Sequence, residues 1–168
     1  EYPRWLWSII LHGIILRVRP RRSAHAYQQV WTKQGSPLLV NCQALTEKLS
    51  EQLRTQLHAE TKVVLAMSYG QPSIQSALEE LRTAHVRKLI VLPLYPQYSG
   101  STTGSVFDAV TKQLQRWRWV PALQFITQYH DDPAYIQALA NSVRQHWQTQ
   151  GKQHLLMSFH GLPKRYLL

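Results

Sequence analysis

From residue 5 the chain runs Trp5-Leu6-Trp7-Ser8-Ile9-Ile10-Leu11-His12-Gly13-Ile14-Ile15-Leu16 and then turns basic at Arg17, Arg19, Arg21 and Arg22. A helix needs roughly 20 apolar residues to span a bilayer, so this run is too short to cross one. An apolar helix carrying tryptophans and trailed by arginines suits a helix lying among lipid headgroups. An ordinary buried helix with a solvated basic tail has the same composition, and the pattern leaves both readings open. Ser23 is the expected N-cap of a helix through Trp31, and Gly35-Ser36-Pro37 restarts the chain. Leu38, Leu39, Leu45, Leu49, Leu53 and Leu57 recur at helical spacing and predict a long amphipathic helix.

Beyond it the pattern alternates between short apolar runs and helical spacing. Lys62–Met67 reads as a strand ending at Ser68-Tyr69-Gly70, and Pro72 or Ser73 opens a helix to about Thr83. Lys88–Leu92 is the next strand, followed by an irregular loop over Pro93–Gly100 and a helix over Thr102–Trp117. Then come a strand over Leu123–Thr127, a helix over Pro133–Gln150 and a strand over His154–Phe159. Strand–helix–strand at this spacing implies parallel strands joined by crossovers, hence an α/β doubly wound sheet in one domain over residues 1–168. Ligands of such sheets bind beyond the carboxyl ends of the strands. Ser68-Tyr69-Gly70, the Pro93–Gly104 loop and His160-Gly161 all fall there.

Composition narrows the classes. With 44% hydrophobic and 17% charged residues, the chain is globular rather than disordered. A net charge of +10 favours an anionic partner: nucleic acid, an acidic membrane surface or a small anion. The basic residues are dispersed beyond Arg17–Arg22 and no recognition motif is present, so no nucleic-acid partner is expected. The single cysteine, Cys42, excludes an internal disulfide framework and any multi-cysteine metal site, and suits a reducing compartment. No signal peptide is evident, and a first residue of Glu suggests a chain that begins within a longer protein.

Candidate chemistry gathers at the strand ends. His160 follows a strand and precedes Gly161 and Pro163, where a neutral imidazole could accept a proton or bind a metal; a structural histidine bonded to a loop is the bland alternative. The loop Leu92-Pro93-Leu94-Tyr95-Pro96-Gln97-Tyr98-Ser99-Gly100-Ser101-Thr102-Thr103-Gly104 resembles an anion cradle leading into a helix, or simply a capped helix start. It lacks the P-loop lysine. Tyr69 and Tyr95 stand at two adjacent strand ends and could wall a flat ligand, or belong to the core. Arg21 and Arg22 could pair with carboxylates or form a solvated cluster. No Ser-His-Asp arrangement or dinucleotide glycine fingerprint is evident.

Six segments, Arg21-Arg22-Ser23, Gly35-Ser36-Pro37-Leu38, Met67–Ser73, Leu92–Ser99, Ser101–Ser105 and Ser158-Phe159-His160-Gly161-Leu162-Pro163, resemble consecutive ferrochelatase motifs, in order and at family spacing. The resemblance covers essentially the whole chain and is of bacterial type. It implies a fold of two Rossmann-like halves around a porphyrin cleft, of which this chain supplies most of the first. It implies insertion of ferrous iron into protoporphyrin IX to form haem, with release of two protons, in a cytoplasmic enzyme of haem biosynthesis. The family lip helix matches residues 3–17, so residues 5–22 are expected to touch a membrane surface peripherally. His160 matches the active-site histidine, as pyrrole proton acceptor or metal ligand. Arg22, Tyr27, Ser36, Tyr69 and Tyr95 match porphyrin-binding positions.

Some positions depart from the family pattern. Ser68 stands where some members carry arginine. Gly100 stands where iron–sulfur members carry a first cysteine, so no cluster and no resident cofactor is expected; ferrous iron enters as substrate. The first family strand and the second half, with the acidic residue that faces the histidine, are expected outside this sequence, so the chain alone should be inactive. The alternatives are a related chelatase of another tetrapyrrole and a non-catalytic tetrapyrrole carrier.

Overall fold

The computed structural model describes residues 3–57 and 60–166, apart from a few side chains that include those of Arg21 and Arg22. The chain divides into two compact units, residues 1–65 and 66–168.

The first unit is helical. Helix α1 (Arg4–Ile10) passes through a π-helical stretch, Leu11–Ile15, into α2 (Leu16–Gln28) without a break. The π stretch displaces the regular i→i−4 ladder, and the His12 ring donates from Nδ1 to the Ser8 carbonyl at 2.9 Å. Ser23 therefore lies inside a helix and caps nothing, a correction to the expected helix start. Arginines are good helix formers, and Pro20 is absorbed within α2 at the cost of one backbone hydrogen bond. Trp5, Trp7, Ile9 and Leu16 are exposed along this helix. After a tight turn in which Thr32 and Gly35 exchange backbone hydrogen bonds, Pro37 opens α3 (Pro37–Gln56). Gly35 has φ +113, a region that favours glycine. The half-buried stripe of α3 is Leu39, Cys42, Thr46, Leu49 and Leu53, whereas Leu38, Leu45 and Leu57 face outward. The helix was legible from its spacing; half of its expected inner face was not.

The second unit is a mixed helix–sheet structure with a small parallel sheet. Helix α4 (Ile74–Thr83) starts at Ser73, whose Oγ accepts the Ser76 N–H at 3.0 Å. Strand β1 (Lys88–Val91) pairs in parallel with β2 (Ala122–Phe125), with Leu89 opposite Leu123 and Val91 opposite Phe125. Between them the chain crosses over through a π-helical turn, Gly100–Gly104, and α5 (Ser105–Leu114). Helices α4 and α5 pack on each other. They bury Ala77, Leu78 and Leu81 against Val110 and Leu114, with Leu89 of β1 completing the core. Phe107 of α5 meets Phe125 of β2 edge to face at 5.3 Å. Helix α6 (Pro133–Gln150) is capped by Asp132, whose carboxylate accepts the N–H groups of Ala134 and Tyr135.

Two expected strands are not formed. Residues 154–159 carry no ladder, and Leu155, Leu156, Met157 and Phe159 are exposed, Leu156 at 91%. Over Lys62–Met67 only Met67 forms a bridge, to Ser73. An apolar run becomes a strand only where a neighbouring strand accepts its N–H groups and offers carbonyls in return. Among the described residues neither segment is given a strand-long ladder, the Met67 bridge apart.

Candidate active site

The site is built where β1 and β2 end. The parallel ladder continues past the strands: Ile126 N–H donates to Val91 O at 3.0 Å, and Tyr129 N–H to Pro96 O at 2.9 Å. The second bond ties the segment after β2 to the loop after β1, so the loop bearing Tyr95 and Tyr98 is anchored at both ends. At its far end Ser99, 2% exposed, organises the helix start. Its Oγ accepts Ser101 N–H, and its carbonyl accepts the N–H groups of Thr102 and Gly104. These are the donors an anion cradle would leave open. The capped-helix reading therefore holds and the cradle reading does not.

Thr103, 1% exposed, places its Oγ1 in the interior without a hydrogen-bond partner. It lines a cavity of about 360 Å³ with Tyr98, Phe107, Asp108, Phe125 and Thr127. The sequence pattern did not single out Thr103, although it heads the helical stripe that continues to Val110 and Leu114. A buried hydroxyl left unpaired loses its hydration without replacement.

The turn that follows the His160 segment reaches Gly100. Tyr166, in the 3₁₀ turn Lys164–Tyr166, lies within 3.8 Å of the place a Cβ on Gly100 would occupy. His160 is exposed, and its Nδ1 lies 2.7 Å from the Gly161 carbonyl. A carbonyl only accepts, so in the neutral ring Nδ1 carries the hydrogen and Nε2 keeps its lone pair. That tautomer leaves the lone pair of Nε2 uncommitted on an exposed residue. The support beneath His160 is an irregular backbone rather than the strand its sequence predicted.

The other sequence-derived candidates divide between the two units. Tyr69 is 92% exposed in the turn that Gly70 makes at φ +85, and Tyr95 is only partly exposed in the loop after β1. Three candidates belong to the helical unit. Tyr27 is exposed in α2, and Ser36 sits at the N-cap of α3, where its carbonyl, rather than its side chain, accepts Val40 N–H. Arg22 has its backbone in α2, and its side chain lies outside the described residues. Tyr129 lies in the segment after β2 that bonds back to Pro96. Burial, and secondarily the neighbouring Tyr135 whose ring it meets at 5.3 Å, raise its phenol above the ordinary value. Among the described residues no three His, Cys, Asp or Glu side chains gather as a metal-ligand set. Among the same residues no helix is long and apolar enough to cross a membrane.

A family model described as Ferrochelatase matches residues 1–168. The chain is 59% identical over 169 residues to a ferrochelatase of Thioalkalivibrio sulfidiphilus, covering 100% of this chain and 46% of that protein. It is 53% identical to a ferrochelatase of Nitrosococcus oceani, again covering 100% of this chain and 46% of the relative. A protein named ferrochelatase 2, from Shewanella oneidensis, is 51% identical over 99% of the chain and 51% of its own length. The chain thus spans about half the length of the curated relatives it matches.

Proposed function

The chain belongs to the ferrochelatase family, and on that premise we propose that the whole protein inserts ferrous iron into protoporphyrin IX, releasing two protons and forming haem. The observation that carries the proposal is the family match over all 168 residues; the contact of His160 Nδ1 with Gly161 O, which leaves Nε2 its lone pair, supports it.

A flat porphyrin keeps its pyrrole nitrogens in the ring plane and carries two N–H protons that leave as the metal enters. Nε2 of His160, with Nδ1 committed to Gly161 O, is the group in this chain suited to accept one of them or to hold the incoming metal. Tyr69 and Tyr95 supply aromatic surface for the macrocycle. Arg22, with Tyr27 and Ser36, provides the polar contacts that porphyrin carboxylates require. Gripping the ring so that it fits better when distorted directs binding energy toward the transition state. Iron stays ferrous throughout, so the reaction calls for no redox cofactor and the chain is read as carrying no iron–sulfur cluster. The β1–α5–β2 unit is read as part of a doubly wound Rossmann-like sheet. Residues 5–22, with Trp5, Trp7 and Ile9 exposed, are read as a peripheral membrane contact of a cytoplasmic enzyme.

The test is iron insertion by a protein of the relatives' full length carrying this sequence, followed by the shift of the porphyrin Soret band. Substituting His160→Ala should lower turnover by about 10²–10⁴-fold, the range of a positioned proton acceptor, while porphyrin binding changes little. Turnover retained in that variant would refute the assignment.

A further inference from the structure

The strands of the second unit have another end. At the amino ends of β1 and β2, beneath the last turns of α4 and α5, lies a groove of about 620 Å³ whose lining includes Arg82, Arg87, Arg116, Trp117, Arg118 and Trp119. Four arginines face one lining carboxylate, Glu79. Arg82 is committed to that carboxylate, donating from Nε and from a terminal nitrogen to its two oxygens. Arg87 lies over the Trp119 ring, 4.6 Å from its centroid. No side-chain hydrogen bond or ion pair engages Arg116 or Arg118 among the described residues.

Helix dipoles account for part of this charge. Arg82 sits in the last turn of α4 and Arg116 just past α5, where cations are favoured. They do not account for Arg87 and Arg118, which lie in the connections leading to the strands. Nor do they explain why two tryptophans are interleaved with the arginines over Arg116-Trp117-Arg118-Trp119, with Trp119 65% exposed. The Arg87–Trp119 stack is itself favourable. It leaves the cationic charge of Arg116 and Arg118 without a counter-charge beside an exposed indole, a combination suited to a ligand that is anionic at one end and planar or apolar at the other.

We propose that this groove binds a phosphate ester bearing a planar or apolar group. Arg116 and Arg118, with Arg87, take the phosphate oxygens through the guanidinium fork, and Trp119 receives the attached group. The volume falls within the roughly 300–1,000 Å³ usual for small-ligand sites, and guanidinium geometry matches phosphate bidentately. The chemistry has two natural sources, a soluble nucleotide or the headgroup of an anionic lipid. The inference is independent of iron insertion, since it uses no residue of the strand-end rim.

Binding is measured on the protein of full relatives' length, by calorimetry with ADP and by flotation with phosphatidylglycerol–phosphatidylcholine vesicles. The expected result is binding to at least one probe that falls about tenfold or more in Arg116→Gln/Arg118→Gln and in Trp119→Ala. It should stay within about twofold in Lys48→Gln/Lys152→Gln, which removes the same charge at two residues that do not line the groove. ADP binding with this pattern assigns the soluble source, and vesicle binding with it assigns the headgroup. No binding to either probe, or equal losses in the two double variants, overturns the proposal. Arg116, Arg118, Lys48 and Lys152 are exposed, and circular dichroism on each variant checks that the fold is kept.

Discussion

His160 and Thr103 show how little of a residue's role is contained in its type. A histidine before a glycine is chemically ambiguous until one ring nitrogen is assigned. The Gly161 carbonyl assigns it by forcing Nδ1 to donate, and so leaves Nε2 basic. Thr103 is the opposite case, an unremarked hydroxyl that packing has stripped of every partner. If nothing in the protein repays that loss, Thr103→Val removes an unsatisfied group at nearly constant shape. The variant should then be more stable by about 1 kcal/mol, read from the midpoint of urea unfolding. A loss of stability instead would show that the hydroxyl has a partner in solution. Glu79 is a plainer example. Its carboxyl is held below the ordinary range, first by the hydrogen bonds from Arg82, so it remains charged at neutral pH and the pair is lost only as pH falls through that lowered value.

Among the elements, the helix starts follow side-chain chemistry closely. Ser73 and Asp132 each precede a helix and each accept backbone N–H groups of its first turn. Ser73→Ala should cost about 1 kcal/mol in unfolding free energy, with Ser73→Asp restoring most of it. Ser23 has the same residue type and no such role, because the arginine-rich segment before it is already helical and its neighbouring N–H groups are paired within α2. Caps are legible only where the preceding backbone is free to leave the helix. The Ser99 turn makes a related point. Its glycines and hydroxyls suggested an anion cradle, yet Ser99 itself consumes the donors an anion would need.

For the whole molecule, the decisive feature is what the exposed apolar surface awaits. Leu155, Leu156, Met157 and Phe159 form a strand-like run with no ladder, adjacent in sequence to His160. We propose that in a protein of the relatives' length the part absent here covers this run and faces His160. The chain of 168 residues alone should therefore show no iron insertion above background in the Soret assay. A protein of the relatives' full length should be active under the same conditions. Activity of the short chain equal to that of the long one would remove the need for a second half.

The sequence by itself determined α3 to α6 and the two strands that pair, because spacing and caps at Ser73 and Asp132 are local signals; the expected cap at Ser23 and two of the apolar runs did not form what their patterns suggested. It also carried the family, through motifs at Tyr95–Gly104 and Ser158–Pro163. Only the tertiary structure decided which apolar runs become strands, since a ladder needs a second backbone and no local pattern supplies one. It also decided which face of α3 turns inward and why Thr103 is buried. Those depend on what lies opposite each group in space, and that is settled by packing rather than by order along the chain.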